Sequence, residues 1–252
     1  MLEENKIHLG DCLNLMPSIP SKSIDMILCD LPYGTTACEW DSIIPLDRLW
    51  REYERVIKDN GNIVLTANAK FTILLAYSNL KLFRYKWVWM KNNVTKFLQA
   101  KKMPLGKHED VLVFFKEWGG AYNPQKTPCK PYTTKHKNSI IAPNQTRDKG
   151  RVRTDTINDG WAYPTDIIQI SQDTDKTHPT QKPVALFEYL IRTYTNENEL
   201  VLDNCSGSGT TAVACMNTNR RFICIEKDET YHRKSLERLA NHEPLLHMGD
   251  KC

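Results

Sequence analysis

No stretch of the 252-residue chain approaches the roughly 18 consecutive apolar residues that a membrane-spanning helix needs, and the opening MLEENKIHLGD has neither the basic nor the apolar region of a secretory signal. A cytoplasmic protein is the expectation. Eight cysteines are present (Cys12, Cys29, Cys38, Cys129, Cys205, Cys215, Cys224 and Cys252), but no pair has CxxC spacing, which argues against a zinc knuckle or a dithiol redox motif. Several lie in apolar runs such as DMILCD and FICIE, where free cysteine packs as a small hydrophobe. His108 and His178 belong to no cluster with metal-ligand spacing, so no metal centre is expected. Internal repeats and low-complexity tracts are also missing. With 40% hydrophobic and 25% charged residues the chain has an ordinary globular composition, and its length suits one large α/β domain or two small ones.

Charge is unevenly placed. The net charge is +4, yet from Lys91 to Arg153 fourteen basic residues face four acidic ones, a local excess of +10 that leaves the rest of the chain at −6. Such clustering is either a footprint for a polyanion or a solvated surface. Arg147, Lys149, Arg151 and Arg153 form its densest part.

Apolar runs rich in β-branched or aromatic residues read as buried strands: KIHL, SIDMILCD, GNIVLTAN, RYKWVWM, EDVLVFF, ELVLD and RFICIE. Helical patterns lie among them. PLDRLWREYERVIKD places Leu46, Leu49, Trp50, Tyr53, Val56 and Ile57 on one stripe, and PVALFEYLIRTY and TTAVACMN also read as helices. This alternation predicts an α/β fold with a Rossmann-like, doubly wound, mostly parallel sheet and ligands at the strands' carboxyl ends. Residues 117–165 depart from the pattern. They carry turn signals and little periodicity, as expected of an insertion on a scaffold. Within it and beside it, Trp118, Tyr122, Tyr132, Trp161 and Tyr163 stand among basic residues and are equally compatible with base stacking and with local packing.

ELVLDNCSGSGTTAVACMN reads as strand, glycine turn and helix. Gly207, Gly209 and Ala212 satisfy GxGxxG/A spacing, and Glu226 ends the next strand where it can accept from ribose hydroxyls. A dinucleotide site is one reading. Asp203, however, would repel a pyrophosphate seated at the following helix, a conflict that a cationic nucleoside such as S-adenosylmethionine removes. A third reading makes the glycines a plain tight turn.

SIDMILCDLPYG ends a strand at Asp30 and adds Leu31, Pro32, Tyr33 and Gly34. A carboxylate and a backbone carbonyl at that edge could accept both N–H bonds of an exocyclic amine, whose lone pair is otherwise delocalised into its ring. Tyr33 offers an aromatic face to a base removed from its stack. The alternative is a proline turn closed by an Asx-type bond.

Taken together, IHLGDCLNLMPSIPSKSIDMILCDLPYG, WVWMK, EDVLVFFK, HPTQKPVALFEYLI and VLDNCSGSGTTAVA resemble the DNA amino-methyltransferases that modify N6 of adenine or N4 of cytosine. The motif order, base-binding motif first and cofactor loop last, is similar to the circularly permuted class called β. The resemblance implies S-adenosyl-L-methionine as cofactor and double-stranded DNA as partner. Asp30 and the carbonyl of Leu31 would accept from the target amine, Pro32 would fix the turn and Tyr33 would stack on the flipped base. Asp203, Ser206, Gly207 and Gly209 would line the methionine side of the cofactor pocket, with Glu226 at the ribose, Asp11 near the adenine and Lys182 facing the methionine carboxylate. Leu31 stands where the family commonly has a first proline, and Asn204 where a proline or phenylalanine often follows the acid.

On this reading residues 1–116 form the catalytic half, 117–165 an inserted basic target-recognition region that includes Arg147, Lys149, Arg151 and Arg153, and 166–252 the cofactor half. The aspartate heading the motif points to N6-adenine, with N4-cytosine as the alternative. A companion restriction endonuclease and a homodimeric state are further expectations. Three rivals are weaker. A C5-cytosine enzyme would need Cys129 as its thiolate, but Cys129 lies in the irregular insertion. A non-catalytic DNA-binding protein needs no cofactor pocket, and an NAD-dependent enzyme gives DLPYG no task.

Overall fold

The computed structural model describes residues 1–34, 41–135, 155–173 and 181–242. They fall into two compact units, Met1–Asn123 with Asp166–Cys252, and Pro124–Thr165.

In the larger unit the chain runs through β1 (Lys6–Leu9), α1 (Cys12–Leu15), β2 (Ile24–Cys29), α2 (Leu46–Val56), β3 (Ile57–Ala67), α3 (Ala69–Ser78), β4 (Phe83–Thr95) and β5 (Gly106–Phe114). The smaller unit contributes β6 (Thr127–Pro128), β7 (Tyr132–Thr134), β8 (Thr156–Asn158) and β9 (Trp161–Ala162), and the larger unit resumes with β10 (Ile167–Gln169), α4 (Val184–Tyr194), β11 (Leu200–Asp203), α5 (Thr210–Asn217), β12 (Arg221–Glu226) and α6 (Glu229–Ala240). Eight strands form one sheet in the order β1-β12-β11-β2-β3-β5-β4-β10. Only the β3–β5 and β4–β5 pairings are antiparallel, so a single reversed strand, β5, sits in an otherwise parallel sheet.

Burial on both faces explains why these strands read as continuous apolar runs. Along β5, Leu112 and Phe114 join one core with Leu49, Tyr53 and Val56 of α2 and Phe71 of α3. Val111 and Val113 join the other, with Leu186, Leu190 and Tyr194 of α4 and Ala212 of α5. Cys29, Cys215 and Cys224 are core residues, and burial pushes the Cys29 thiol up to about 12. Each expected strand and helix is present, with one displacement. Ile57, assigned to the α2 stripe, instead opens β3 opposite Ile24 and is buried there. No described helix is long and apolar enough to cross a membrane.

The smaller unit begins at Pro124, not at residue 117. Trp118 packs edge-on against Phe115, and the Asn123 amide donates to Thr193 O, both within the larger unit. The smaller unit itself holds two short antiparallel ladders, β6 with β9 and β7 with β8. In it Cys129 Sγ lies 3.4 Å from Asn158 Oδ1, and Lys126 sits over the Tyr163 ring at 4.5 Å.

Candidate active site

Parallel strands end on one edge, and here four neighbouring strands each deliver a carboxylate to it. Asp11 follows β1, Glu226 ends β12, Asp203 ends β11 and Asp30 follows β2. All four line one cavity of about 630 Å³, together with Leu31, Pro32, Tyr33, Lys182, Ser206 and Gly207.

The glycine turn is organised by two of these acids. Glu226 accepts from the Gly207 amide at 2.7 Å through Oε2 and from the Asp228 amide at 2.8 Å through Oε1. Burial raises its pKa despite those two donors. Asp203 accepts from the Cys205 amide at 3.0 Å and from the Thr211 hydroxyl, so one oxygen holds the turn that follows β11 and the other the first turn of α5. Burial pushes this carboxyl up to about 6, against the opposing pull of the Thr211 and Cys205 bonds. Asp11 caps α1 through the Leu13 amide at 2.9 Å and pairs with Lys227 at 3.3 Å.

Two glycines that look equivalent in sequence face opposite ways. Both have left-handed backbones, φ +51° at Gly207 and +77° at Gly209. A Cβ on Gly207 would meet nothing within 4 Å, whereas one on Gly209 would lie 3.1 Å from Ser235 Cβ and 3.3 Å from Ile7 and Leu239 side chains. Gly209, expected on the methionine side of the cofactor pocket, is not among the residues lining this cavity, and its lack of a side chain permits close packing of α6 and β1 on the turn. Ser206 does face the cavity, and its buried Oγ has no hydrogen-bond partner among the described residues.

At the other end, Asp30 is fully engaged. Its Oδ1 accepts from the Tyr33 hydroxyl at 2.7 Å and from the Thr66 hydroxyl, and its Oδ2 from Lys182 Nζ at 2.6 Å. Tyr33 stacks one face on Phe71, with ring centroids 5.1 Å apart. Burial first, then the Asp30 and Glu109 charges, hold its phenol well above the usual range. Lys182 does not stand free to face a methionine carboxylate as expected. Its ammonium bridges Asp30 and Glu109, the latter at 3.3 Å through Oε2. Burial alone would lower its pKa, but these two carboxylates more than offset that and hold it raised.

Several contributors gave no local signal in the sequence. Thr66 on β3 and Glu109 on β5 reach Asp30 and Lys182 only through strand adjacency. Asp41 accepts from the Gly34 amide at 2.9 Å and helps hold the turn after Tyr33. Tyr53 of α2 donates to Asn204 at 2.5 Å, which gives the residue in the family's proline or phenylalanine position a buried partner.

The basic segment is redistributed as well. Lys91 is buried against Glu109 at 2.8 Å, and Lys116 reaches Asp59 and the Ile57 carbonyl, so neither is a free surface cation. Arg147, Lys149, Arg151 and Arg153 lie outside the described residues, as does His178. His108, on β5 opposite Met90, is exposed.

The chain is similar in sequence or fold to known DNA methyltransferases. The chain is 29% identical over 252 residues to the Type II methyltransferase M.BglII of Bacillus subtilis, covering 90% of this chain and 66% of that relative. It is 28% identical over 258 residues to the DNA adenine methyltransferase YhdJ of Escherichia coli (strain K12), covering 94% of this chain and 83% of that relative. The fold is shared with the PvuII DNA methyltransferase, described as cytosine-N4-specific, at a TM-score of 0.68 and 18% identity, covering 96% of this chain and 89% of that one. The model of the DNA methylase family N6_N4_Mtase matches residues 24–237, so the chain belongs to the N6/N4 DNA methylase family.

Proposed function

We propose that the protein transfers a methyl group from S-adenosyl-L-methionine to N6 of an adenine flipped out of duplex DNA. The observation that carries this reading is a single cavity lined at one end by the Ser206–Gly207 turn and Glu226 and at the other by Asp30, Pro32 and Tyr33.

The cavity's residues fit such a cofactor. The orphaned Ser206 hydroxyl and the open space above Gly207 leave room and a polar group for a ligand. Glu226 suits ribose hydroxyls, Asp11 lies toward the adenine, and the acidic wall suits a cation. With Lys182 engaged elsewhere, the α5 N-terminus is the electropositive element for an amino-acid carboxylate. Bound there, the cofactor supplies the methyl group on a sulfonium. Asp203 acts indirectly, by fixing the turn on which Ser206 and Gly207 sit.

At the acceptor end, Asp30 and the Leu31 carbonyl orient the two amine N–H bonds and direct the nitrogen lone pair toward the methyl carbon. As the N–C bond forms, positive charge develops on the nitrogen, and Asp30 is placed to stabilise it and take the displaced proton on to solvent. Pro32 fixes the turn, and Tyr33, with one face on Phe71 and the Lys182 ammonium over its ring at 5.4 Å from the centroid, would stack on the base. The unit Pro124–Thr165, with the basic residues Arg147, Lys149, Arg151 and Arg153, belongs on this reading to the target-recognition region.

Adenine is favoured over cytosine by the aspartate at position 30 and by the likeness to YhdJ, a DNA adenine methyltransferase. The shared fold does not discriminate, because the PvuII enzyme has it too. Incubation with unmethylated genomic DNA and labelled cofactor, followed by nucleoside analysis and site mapping, should yield N6-methyladenine. N4-methylcytosine alone would overturn the base assignment, and no labelled DNA would overturn the whole reading.

A further inference from the structure

Asp30, the residue on which the proposed chemistry turns, has its Oδ2 covered by an ammonium. Lys182 Nζ donates to that oxygen at 2.6 Å and so occupies one of its two acceptor sites. On its other side the same ammonium faces Glu109 Oε2 at 3.3 Å, and that oxygen is buried without a hydrogen-bond partner among the described residues. Glu109 cannot follow the lysine. Its Oε1 is held at 2.8 Å by Lys91, which is itself only 5% exposed.

The four side chains therefore form an alternating series, Lys91, Glu109, Lys182 and Asp30, in which Lys182 sits close to Asp30 and makes a longer contact with Glu109 Oε2. Closing 3.3 Å to an ordinary charge-assisted contact of roughly 2.8 Å by itself leaves Nζ within about 3.1 Å of Oδ2, so uncovering Asp30 requires the flexible four-carbon stem to swing the ammonium further around Glu109 Oε2. An ammonium on Oδ2 competes with the target amine for the acceptor, and methyl transfer places positive charge on the amine nitrogen, which like charge nearby opposes.

We infer that Lys182 is a two-position guard of Asp30: it neutralises the carboxylate while no base is bound and withdraws to Glu109 Oε2 when the amine enters. Glu109 is thereby a positioning residue, acting through Lys182 and touching no substrate. The net charge of the series is unchanged by the move, and Asp30, without the ammonium, keeps the Tyr33 and Thr66 hydroxyl donors on Oδ1. Tyr33 and Thr66 keep Oδ1 in place meanwhile. The inference rests on the proposed amine chemistry at Asp30.

A kinetic cycle tests it on duplex DNA carrying a mapped methylation site. Glu109→Gln removes the withdrawal position and should lower kcat by about 10- to 100-fold, the scale of one charge-assisted hydrogen bond. KM for DNA and the cofactor Kd should stay within about threefold, because neither ligand touches Glu109. In a Lys182→Met background, with no ammonium to relocate, the same Glu109→Gln change should alter kcat by less than about threefold. An equal loss in both backgrounds, or a wild-type kcat in Glu109→Gln, overturns the guard. Should the glutamine variant not fold, a crystal structure of Asp30→Asn decides: Lys182 Nζ should lie within about 3.0 Å of Glu109 Oε2, and an ammonium still directed at residue 30 overturns the inference. Wild-type protein that methylates no DNA would sink the proposed function and this inference together, whereas active wild type with an equal loss in both backgrounds sinks this inference alone.

Discussion

Asp30 and Asp203 have the same side chain at equivalent ends of adjacent strands, yet their surroundings give them different tasks. Asp30 collects mobile donors, a phenol, a hydroxyl and an ammonium, and faces the cavity. Replacing it with alanine should lower turnover by about 10² or more, the scale of losing one oriented polar group at a reacting centre, while cofactor affinity measured by calorimetry should be largely retained. Near-normal turnover would make Asp30 a turn residue. Asp203 is bound to its own loop and titrates near 6 in the folded chain against an ordinary 3.8. Between those values the folded state holds the proton more tightly than the unfolded state does, so stability falls as pH rises through the window. The cost is complete above it, on the order of 3 kcal/mol. Unfolding free energies measured from pH 4 to 7 should show this decline, and Asp203→Asn should flatten it; an equal slope in the variant assigns the decline to other groups.

The glycine turn shows how an element divides labour between neighbours. Alanine at either glycine takes on the left-handed strain of roughly 1–2 kcal/mol. At Gly209 it also presses on Ser235, Ile7 and Leu239, so Gly209→Ala should lower the melting temperature more than Gly207→Ala does. At Gly207 the added methyl group enters the cavity, so Gly207→Ala should weaken cofactor binding out of proportion to its stability loss. The reverse ranking in paired melting and titration experiments would mean that the two glycines have been assigned the wrong faces. Elements buried on both sides of the sheet were legible because their apolar runs are unbroken. Three helices were not. α1 has only four residues, α3 spreads Ile73 and Tyr77 onto the surface at 72% and 75% exposure, which blurs its period, and α6 is mostly polar.

For the whole molecule, the proposed division between DNA affinity and cofactor affinity predicts that they respond to different substitutions. DNA binding should weaken with salt at a log-log slope of about −0.9 per phosphate neutralised. Neutralising Arg147, Lys149, Arg151 and Arg153 together should flatten the slope by up to about three or four units if all four touch phosphate, with cofactor affinity barely changed. An unaltered slope in a folded quadruple variant would show that this cluster is a solvated surface. Lys91 and Lys116 illustrate why counting charges along the chain overstates the footprint, since each is drawn into a pairing within the fold.

Local chemistry is what the sequence by itself determined: strands long enough and apolar enough to be buried, a glycine turn between β11 and α5, an aspartate, proline and tyrosine at the end of β2, and a family match over residues 24–237. Apart from the family match, each depends on neighbours within a few residues, and periodicity and turn preference report those directly. The tertiary structure alone decided that Lys182 faces Asp30, that Glu109 and Thr66 complete the network from other strands, and that Gly209 faces inward while Gly207 faces the cavity. These contacts join residues up to 152 positions apart. Sheet order and register set them, and no local pattern encodes which distant side chain will arrive at a given strand end.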